Sequence, residues 1–510
     1  MTRFRAFSSL PALIAGLVLS GSVGAAPSAH LATAASGAKI SAHLTREGFP
    51  STQASSVKLV YWLSKASTRF SYKLTRRSGA KWKTVKSVTK KGHFSGSKSM
   101  TVKRLFAGKA ITLGSYRLKL STGEASKRLS FRVIPPLIRP AAKHSAIPVT
   151  VAGIANAVMV DAGYNHTCAV LSGGTVECWG ENGADQLGDG VIRHNNGITD
   201  DNGIDFSVIP VQVSGITSAT EVDVGTGHSC ALLSSGAVDC WGANGIGQLG
   251  DGTTKYPSTP VQVTGIANAV RVSAGEANTC AVLADGSIEC WGAGFEGQLG
   301  NGTDQNSPTP VQVVGITNAV DVSVGRFFSC AVMSTGTVEC WGDNASGQLG
   351  DGLKDHGHGI VDIDDFSPTP VEVSGITTAI AVTAGVYRPC ALLSNGTVQC
   401  WGSTGAIKLS DAPAPTPVAV SGMANATALS AGWSHTCARL ASGSVECWGA
   451  NVYGELGDGT GQNSLTPVQV IGITDATNVG AGFDFTCAAL SSGSIKCWGR
   501  NNDGQLGSAP

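Results

Sequence analysis

The residues of this chain with the plainest chemistry are its fourteen cysteines. They fall into seven pairs: Cys168 with Cys178, Cys230 with Cys240, Cys280 with Cys290, Cys330 with Cys340, Cys390 with Cys400, Cys437 with Cys447, and Cys487 with Cys497. Every pair is spaced by ten residues. Zinc sites favour cysteines two to four residues apart, and no such spacing occurs, so disulfides are expected in place of a metal. No cysteine is left over as a nucleophile. Carboxylates cluster in two segments, Asp189 to Ser207 and Asp351 to Ser367, with His194, His356 and His358 among them. Neither segment matches a helix-loop calcium pattern, so they read as solvated acidic loops and no metal is assigned. The chain lacks a Gly-x-Ser-x-Gly elbow, a His-Glu-x-x-His pair and a phosphate loop. No catalytic residue and no cofactor is assigned.

The cysteines need a frame that brings each pair together. In the second unit, Ser229 to Leu233 and Ala237 to Trp241 read as strands joined by Ser234, Ser235 and Gly236. A Gly recurs at that last loop position in all seven units: Gly174, Gly236, Gly286, Gly336, Gly396, Gly443 and Gly493. It suits a three-residue hairpin whose final residue has positive φ. That turn pairs Leu233 with Ala237 and so sets Cys230 opposite Cys240, within bridging range. Each bridge is expected to contribute about 2 to 3 kcal/mol.

Two further strands precede this hairpin, Pro210-Val-Gln-Val and Ala219 to Val224, giving a four-stranded unit with a period of about fifty residues. Such units cannot bury their faces alone, and a ring of seven stacks them while removing most exposed edges. The fold class is therefore all-β, a β-propeller over residues 148–510.

The residues carrying the repeat also resemble a known family. Ala-Gly-Trp433-Ser-His435-Thr-Cys437 is followed by Cys447-Trp-Gly-Ala-Asn-Val-Tyr453-Gly-Glu-Leu-Gly-Asp-Gly459. This pattern resembles the regulator of chromosome condensation repeat in its bacterial, secreted, cysteine-paired form, over about residues 148–507. The resemblance implies a seven-bladed propeller. The fifth unit departs from it with Ala406-Ile-Lys-Leu-Ser-Asp411, so an irregular connection is expected there. Family members that promote nucleotide exchange act on a nuclear GTPase, which does not suit a disulfide-rich chain with a secretory signal.

That signal is read from Arg3 and Arg5, the apolar stretch Leu10 to Val23 and the small residues that follow, with cleavage expected after Ala25. Residues 26–38 read as a flexible linker. Residues 39–135 alternate apolar and cationic positions, as in Phe70, Tyr72 and Leu74 against Ser71 and Lys73, and are expected to form a small immunoglobulin-like β-sandwich of about seven strands. Residues 136–147, with Pro136 and Pro140, read as a hinge. Residues 39–143 hold 24 Lys and Arg against Glu47 and Glu124, whereas 144–510 hold 10 against 33 Asp and Glu. A surplus of 22 positive charges exceeds what solubility requires and suits an anionic envelope polymer or the acidic propeller itself. The chain is accordingly expected to be secreted or associated with a cell wall, with nucleic acid an improbable physiological partner.

The seven copies also show which positions the framework leaves free. A variable triplet precedes the Thr, Ser or Pro before each first cysteine: 164–166, 226–228, 276–278, 326–328, 386–388, 433–435 and 483–485. An antiparallel meander puts these triplets, the turns bearing Phe295 and Tyr453, and both long insertions on one face of the ring. Exposed aromatic and Arg clusters dominate recognition hot spots. Tyr164, Phe295, Arg326, Phe327, Phe328, Tyr387, Arg388, Trp433, Tyr453, Phe483 and Phe485 are therefore the candidate residues for an unknown protein or glycan ligand. An enzyme acting on polysaccharide through insertion-loop carboxylates, or a purely structural envelope component, are the alternatives.

Overall fold

The computed structural model describes residues 32–33, 39–44, 48–50, 58–78, 81–101, 114–122 and 126–134 as backbone strands, and then 144–191, 194, 204–353, 355–357, 365–403 and 414–507. They belong to two units, divided after Pro136. In the first, Lys39–Leu44, Lys58–Ser78, Lys81–Thr101, Gly114–Thr122 and Ser126–Ile134 join an antiparallel sheet. Gly48–Pro50 pairs parallel to the last of these, and Ala32–Thr33, within the expected linker, pairs with the first. The side-chain packing that would define a sandwich lies outside the described residues. So do the expected signal, the rest of the linker, most of both insertions and the departure at 406–411.

The second unit consists of seven four-stranded antiparallel sheets. In the third, Ala269–Ala274 is innermost, followed outward by Asn278–Leu283, Ile288–Gly292 and Ser307–Gln312. The hairpin glycine has φ between 78° and 85° in all seven copies, as its turn requires. Each cysteine pair is in register, with Cα atoms 4.0 to 4.1 Å apart, and all seven disulfides are formed. Cys168 bonds Cys178, Cys230 bonds Cys240, Cys280 bonds Cys290 and Cys330 bonds Cys340. In the last three blades Cys390 bonds Cys400, Cys437 bonds Cys447 and Cys487 bonds Cys497.

The ladder is less regular on the outer side of the second cysteine. Just after Cys178, Cys290, Cys340, Cys400, Cys447 and Cys497 the pairing with the outermost strand shifts register. The Gly two residues on, such as Gly342 at φ 100°, accommodates the bulge that a residue with a side chain would resist. The ten-residue spacing sets the inner hairpin register and leaves this outer irregularity unstated.

The phase of the repeat differs from the sequence reading. The strand containing Pro210, Val211 and Gln212 pairs with Val176–Glu181 as the outermost strand of the preceding blade. The seventh blade has no later repeat to supply its outer strand, and His144–Thr150 fills that place beside Ile495–Arg500. Residues 144–147, read above as hinge, thus help to seal the ring. A segment from the start of the propeller completing its last blade ties the two ends together.

Period two along each strand gives the blade two buried faces. The disulfide Cys280–Cys290 and Val282 look forward from the third blade onto Ala331, Val322 and Trp341 of the fourth. Equivalent cores occupy all seven junctions. At six of them the Trp indole donates to a backbone carbonyl of the preceding blade, as in Trp341 Nε1 to Gln298 O at 2.9 Å. Trp448 follows the irregular fifth blade, and its indole has no acceptor among the described residues.

Closer to the axis, side chains on the innermost strands stitch neighbouring blades. Asp161 accepts from Val224 N at 2.8 Å, Asp223 from Ala274 N at 2.7 Å and Ser430 from Ala481 N at 2.8 Å. Ser273, Ser323 and Thr383 do the same. Gly480 has no side chain for the seventh junction, where Asn478 accepts from Val160 N instead. Burial shifts the carboxyl groups in this belt toward the uncharged form. Burial raises Asp161 and Glu221 to about 7 and Asp321 to about 6, and raises Asp223 well above the ordinary range, with Asp161 adding repulsion. A carboxyl whose folded pKa lies above its unfolded value favours the fold most below about pH 4, and that benefit is lost as pH rises through 7. Asp161→Asn with Asp223→Asn keeps an acceptor oxygen for each amide. It is expected to raise stability by about 1 kcal/mol or more at pH 8 and to leave it nearly unchanged at pH 4. Chemical denaturation at the two pH values checks the difference.

Candidate recognition face of the propeller

The innermost strands all end in a Gly at the same end of the axis: Gly163, Gly225, Gly275, Gly325, Gly385, Gly432 and Gly482. Each packs its Cα against the carbonyl oxygen of the next one. A Cβ on Gly163 would stand 2.1 Å from Gly225 O, and one on Gly482 would stand 2.4 Å from Gly163 O, so the circle closes. At five junctions the residue after the Gly donates across, as in Phe483 N to Gly163 O at 2.9 Å and Thr226 N to Gly275 O at 3.1 Å. Seven glycines are required here because backbone meets backbone with no room for a side chain.

This ring floors a depression of about 110 Å³ at the mouth of the axis. The first residue of each variable triplet forms its wall: Tyr164, Thr226, Glu276, Arg326, Val386, Trp433 and Phe483. Tyr164 and Phe483 lie 4.1 Å apart between ring centroids, Phe483 and Trp433 4.4 Å, and Trp433 and Tyr164 6.1 Å. On the other side, Arg326 Nε pairs with Glu276 at 2.8 Å. Its guanidinium sits 4.7 Å from the Phe327 centroid, 5.5 Å from Trp433 and 5.7 Å from Tyr387, and it donates to the Tyr387 hydroxyl. Phe295 lies 5.3 Å from Phe327. An arc of rings thus runs over the third to seventh blades and into the first, with a gap at Thr226 and Gly227 of the second. Tyr453 stands outside the arc, and Arg500 bridges from its ring at 5.9 Å to Asp484 at 3.6 Å.

Two expected binding residues are displaced from this face. Phe328 and Phe485 are 0 % exposed. The third triplet position is the first residue of the next strand and turns between blades, where His166, His228 and His435 occupy it in other copies. Those histidines are buried and neutral: burial lowers His228 and His435 to about 4, and burial with the nearby His228 lowers His166 to about 3. His228 Nε2 lies 2.8 Å from Thr279 Oγ1, whose hydroxyl donates to Gln248 O, so the ring nitrogen is the donor. Arg388, at the same position in the fifth blade, is half-buried, and desolvation lowers its pKa.

The insertions contain a device that the sequence reading missed. His194 lies 3.0 Å from Asp189 and 3.1 Å from Asp205, and His356 lies 2.9 Å from Asp351 and 2.7 Å from Asp365. Burial alone would depress His194, but the two Asp hydrogen bonds and their charges outweigh it and raise it to about 9. The hydrogen bond to Asp351 does most to raise His356 to about 9. Both histidines are charged clamps holding the loop ends together. They are not free surface residues. The recurring signal was available as Asp-Gly followed by His five residues after the Asp, with a second Asp just before Phe206 and Phe366.

The carboxylates nearest the mouth are likewise committed. Glu276 is raised by burial but held by Arg326, and Asp484 is raised to about 6 by burial against the pull of Arg500. The mouth thus sets three rings packed at steep angles opposite an ion pair.

The second unit is therefore a closed seven-bladed β-propeller, of a class that typically binds proteins. It belongs to the regulator of chromosome condensation (RCC1) repeat family. One model of that repeat matches residues 235–282, 285–332 and 442–489, and a second matches 158–186, 219–248, 319–348, 426–455 and 476–505. Among solved structures, human WBSCR16 is similar at 19 % identity and a TM-score of 0.58, covering 72 % of this chain and 92 % of its own. Prp20p from Saccharomyces cerevisiae, studied for its binding to Gsp1p and histones, is similar at 18 % identity and a TM-score of 0.53, covering 68 % and 83 %. At these identities the likeness establishes the fold.

Proposed function

We propose that this chain is an extracellular recognition protein whose propeller engages a protein partner through the aromatic mouth. The strongly basic first unit attaches the molecule to an anionic polymer of the cell surface. The observation that carries the reading is the arc from Phe295 to Tyr164 around Arg326, in which rings from six blades converge on one end of the axis. Aromatic and Arg residues gathered at the centre of a face are the usual energetic anchors of protein interfaces. The seven disulfides and the charge surplus of residues 39–143 support the extracellular setting.

The test is affinity capture from culture supernatant and envelope extract with the full chain, compared with Trp433→Ala and with Phe295→Ala plus Tyr453→Ala. Phe295 and Tyr453 are 43 % and 37 % exposed, so the second variant preserves the blade cores. One specific protein is expected to be lost with both variants, each substitution at an anchor costing about 2 kcal/mol or more of binding. Capture that is indifferent to all three positions contradicts the assignment of this face.

A further inference from the structure

Arg326 shows which kind of group this face accepts. Its guanidinium has three rings around it at 4.7 to 5.7 Å and a carboxylate on Nε, which is how an aromatic cage holds a bound cation. Arg500 over Tyr453, paired with Asp484, repeats the arrangement at the seventh blade. The rings of this face thus hold guanidinium groups supplied by the chain itself, while Phe295, at the end of the arc, and Tyr453, outside it, keep exposed ring surface.

The charge of the propeller is net negative. Residues 144–510 carry 33 Asp and Glu against 10 Lys and Arg. A field of that sign draws cationic partners and repels nucleic acid and acidic proteins.

From the cage and the field together, we infer that the recognition face docks an arginine-rich protein segment, whose guanidinium groups stack on the exposed surface of Phe295 and Tyr453 as Arg326 stacks on the rings around it. This rests on the proposed recognition role and names the chemistry of the partner. Arginine is favoured over lysine because a planar, weakly hydrated guanidinium stacks on a ring while also bonding a carboxylate. Arg326 then competes with the partner, and removing it frees the cage and Glu276 for an incoming guanidinium.

The test uses the full chain, a fluorescein-labelled octa-arginine peptide and its octa-lysine counterpart, with fluorescence anisotropy at 150 mM salt. Octa-arginine is expected to bind at least 10-fold tighter than octa-lysine. Phe295→Ala with Tyr453→Ala should remove most of that difference while leaving octa-lysine within about 2-fold, since no charge changes. Arg326→Ala should tighten octa-arginine at least 3-fold in a variant whose melting temperature is retained. Equal affinities for the two peptides overturn the inference, as does ring-independent binding. So does weaker octa-arginine binding by a folded Arg326→Ala variant, which would show that Arg326 does not compete with the incoming guanidinium for the cage. If capture fails in the ring variants but the peptides are not distinguished, the recognition role stands and only the cationic partner falls.

Discussion

Gly163→Ala is expected to prevent the propeller from closing. The new methyl would stand 2.1 Å from Gly225 O and 2.7 Å from Val224 Cγ1. Neither can retreat, because Gly225 is itself pressed against Gly275 O and the contact is handed around the whole ring. Overpacking of a well-filled interior costs about 1 to 3 kcal/mol and sometimes more, and backbone in a closed circle lies at the upper end. A loss of about 3 kcal/mol or more is therefore expected. The same substitution has a graded set of controls. Gly432→Ala, also at 2.1 Å from its neighbour's oxygen, should match it, and Gly385→Ala, at 2.8 Å, should cost less. Gly173→Ala meets nothing within 4 Å and should be silent. Soluble yield and melting temperature across the four variants check the order.

The second large effect falls on the tryptophans that lock adjacent blades. Trp341→Ala should cost about 3 to 5 kcal/mol, the usual penalty for emptying a buried aromatic site. The indole is wholly buried between the disulfide face of the third blade and the inner strand of the fourth, and its loss also leaves Gln298 O without that donor. Trp341→Phe retains most of the packing and forfeits the hydrogen bond, for about 1 kcal/mol from the bond itself. Because stability in a repeat array is summed over nearest-neighbour interfaces, damage at one junction weakens the whole ring. Trp448→Phe, whose indole finds no acceptor among the described residues, should be the mildest such replacement of the seven. Thermal unfolding of the Phe series ranks the junctions.

Local features of this fold were open to reading from the sequence because the repeat prints them seven times. The Gly at each hairpin, the ten-residue cysteine spacing and the alternation around them leave one register for the third and fourth segments of each copy. What the repeat could not disclose was its own phase. A period states that Pro210-Val-Gln-Val recurs, but not to which neighbour it pairs, and the structure assigns it backwards. Closure by His144–Thr150 follows from the same ambiguity, since only a ring needs its last blade finished by its first strand.

The site was legible in outline. Variable triplets were legible as a group gathered at one end of the axis, yet variability alone did not separate the first residue, which walls the mouth, from the third, which enters the next strand. Phe328 and Phe485 were grouped with exposed rings on that account. The histidines at the third position carried the missing signal, because each ring reaches across the blade junction to the Thr or Ser that follows the same position in the next copy, His166 to Ser229, His228 to Thr279 and His435 to Thr486. The glycines that open every triplet were likewise visible, but their purpose is a distance between different blades. Arg326 gave no hint of its cage, since Phe327 is its neighbour in sequence while Tyr387 and Trp433 arrive from the fifth and sixth blades.

Hydrogen exchange by mass spectrometry on the full chain with its captured protein partner tests most directly the claim that this mouth is the working face. Protection is expected in 163–166, 293–297, 326–328, 386–388, 433–435, 452–455 and 482–485, with no change at the hairpin turns bearing Gly236, Gly286 and Gly336 on the other side of the ring. Protection confined to those turns, or to residues 39–135, would contradict the account.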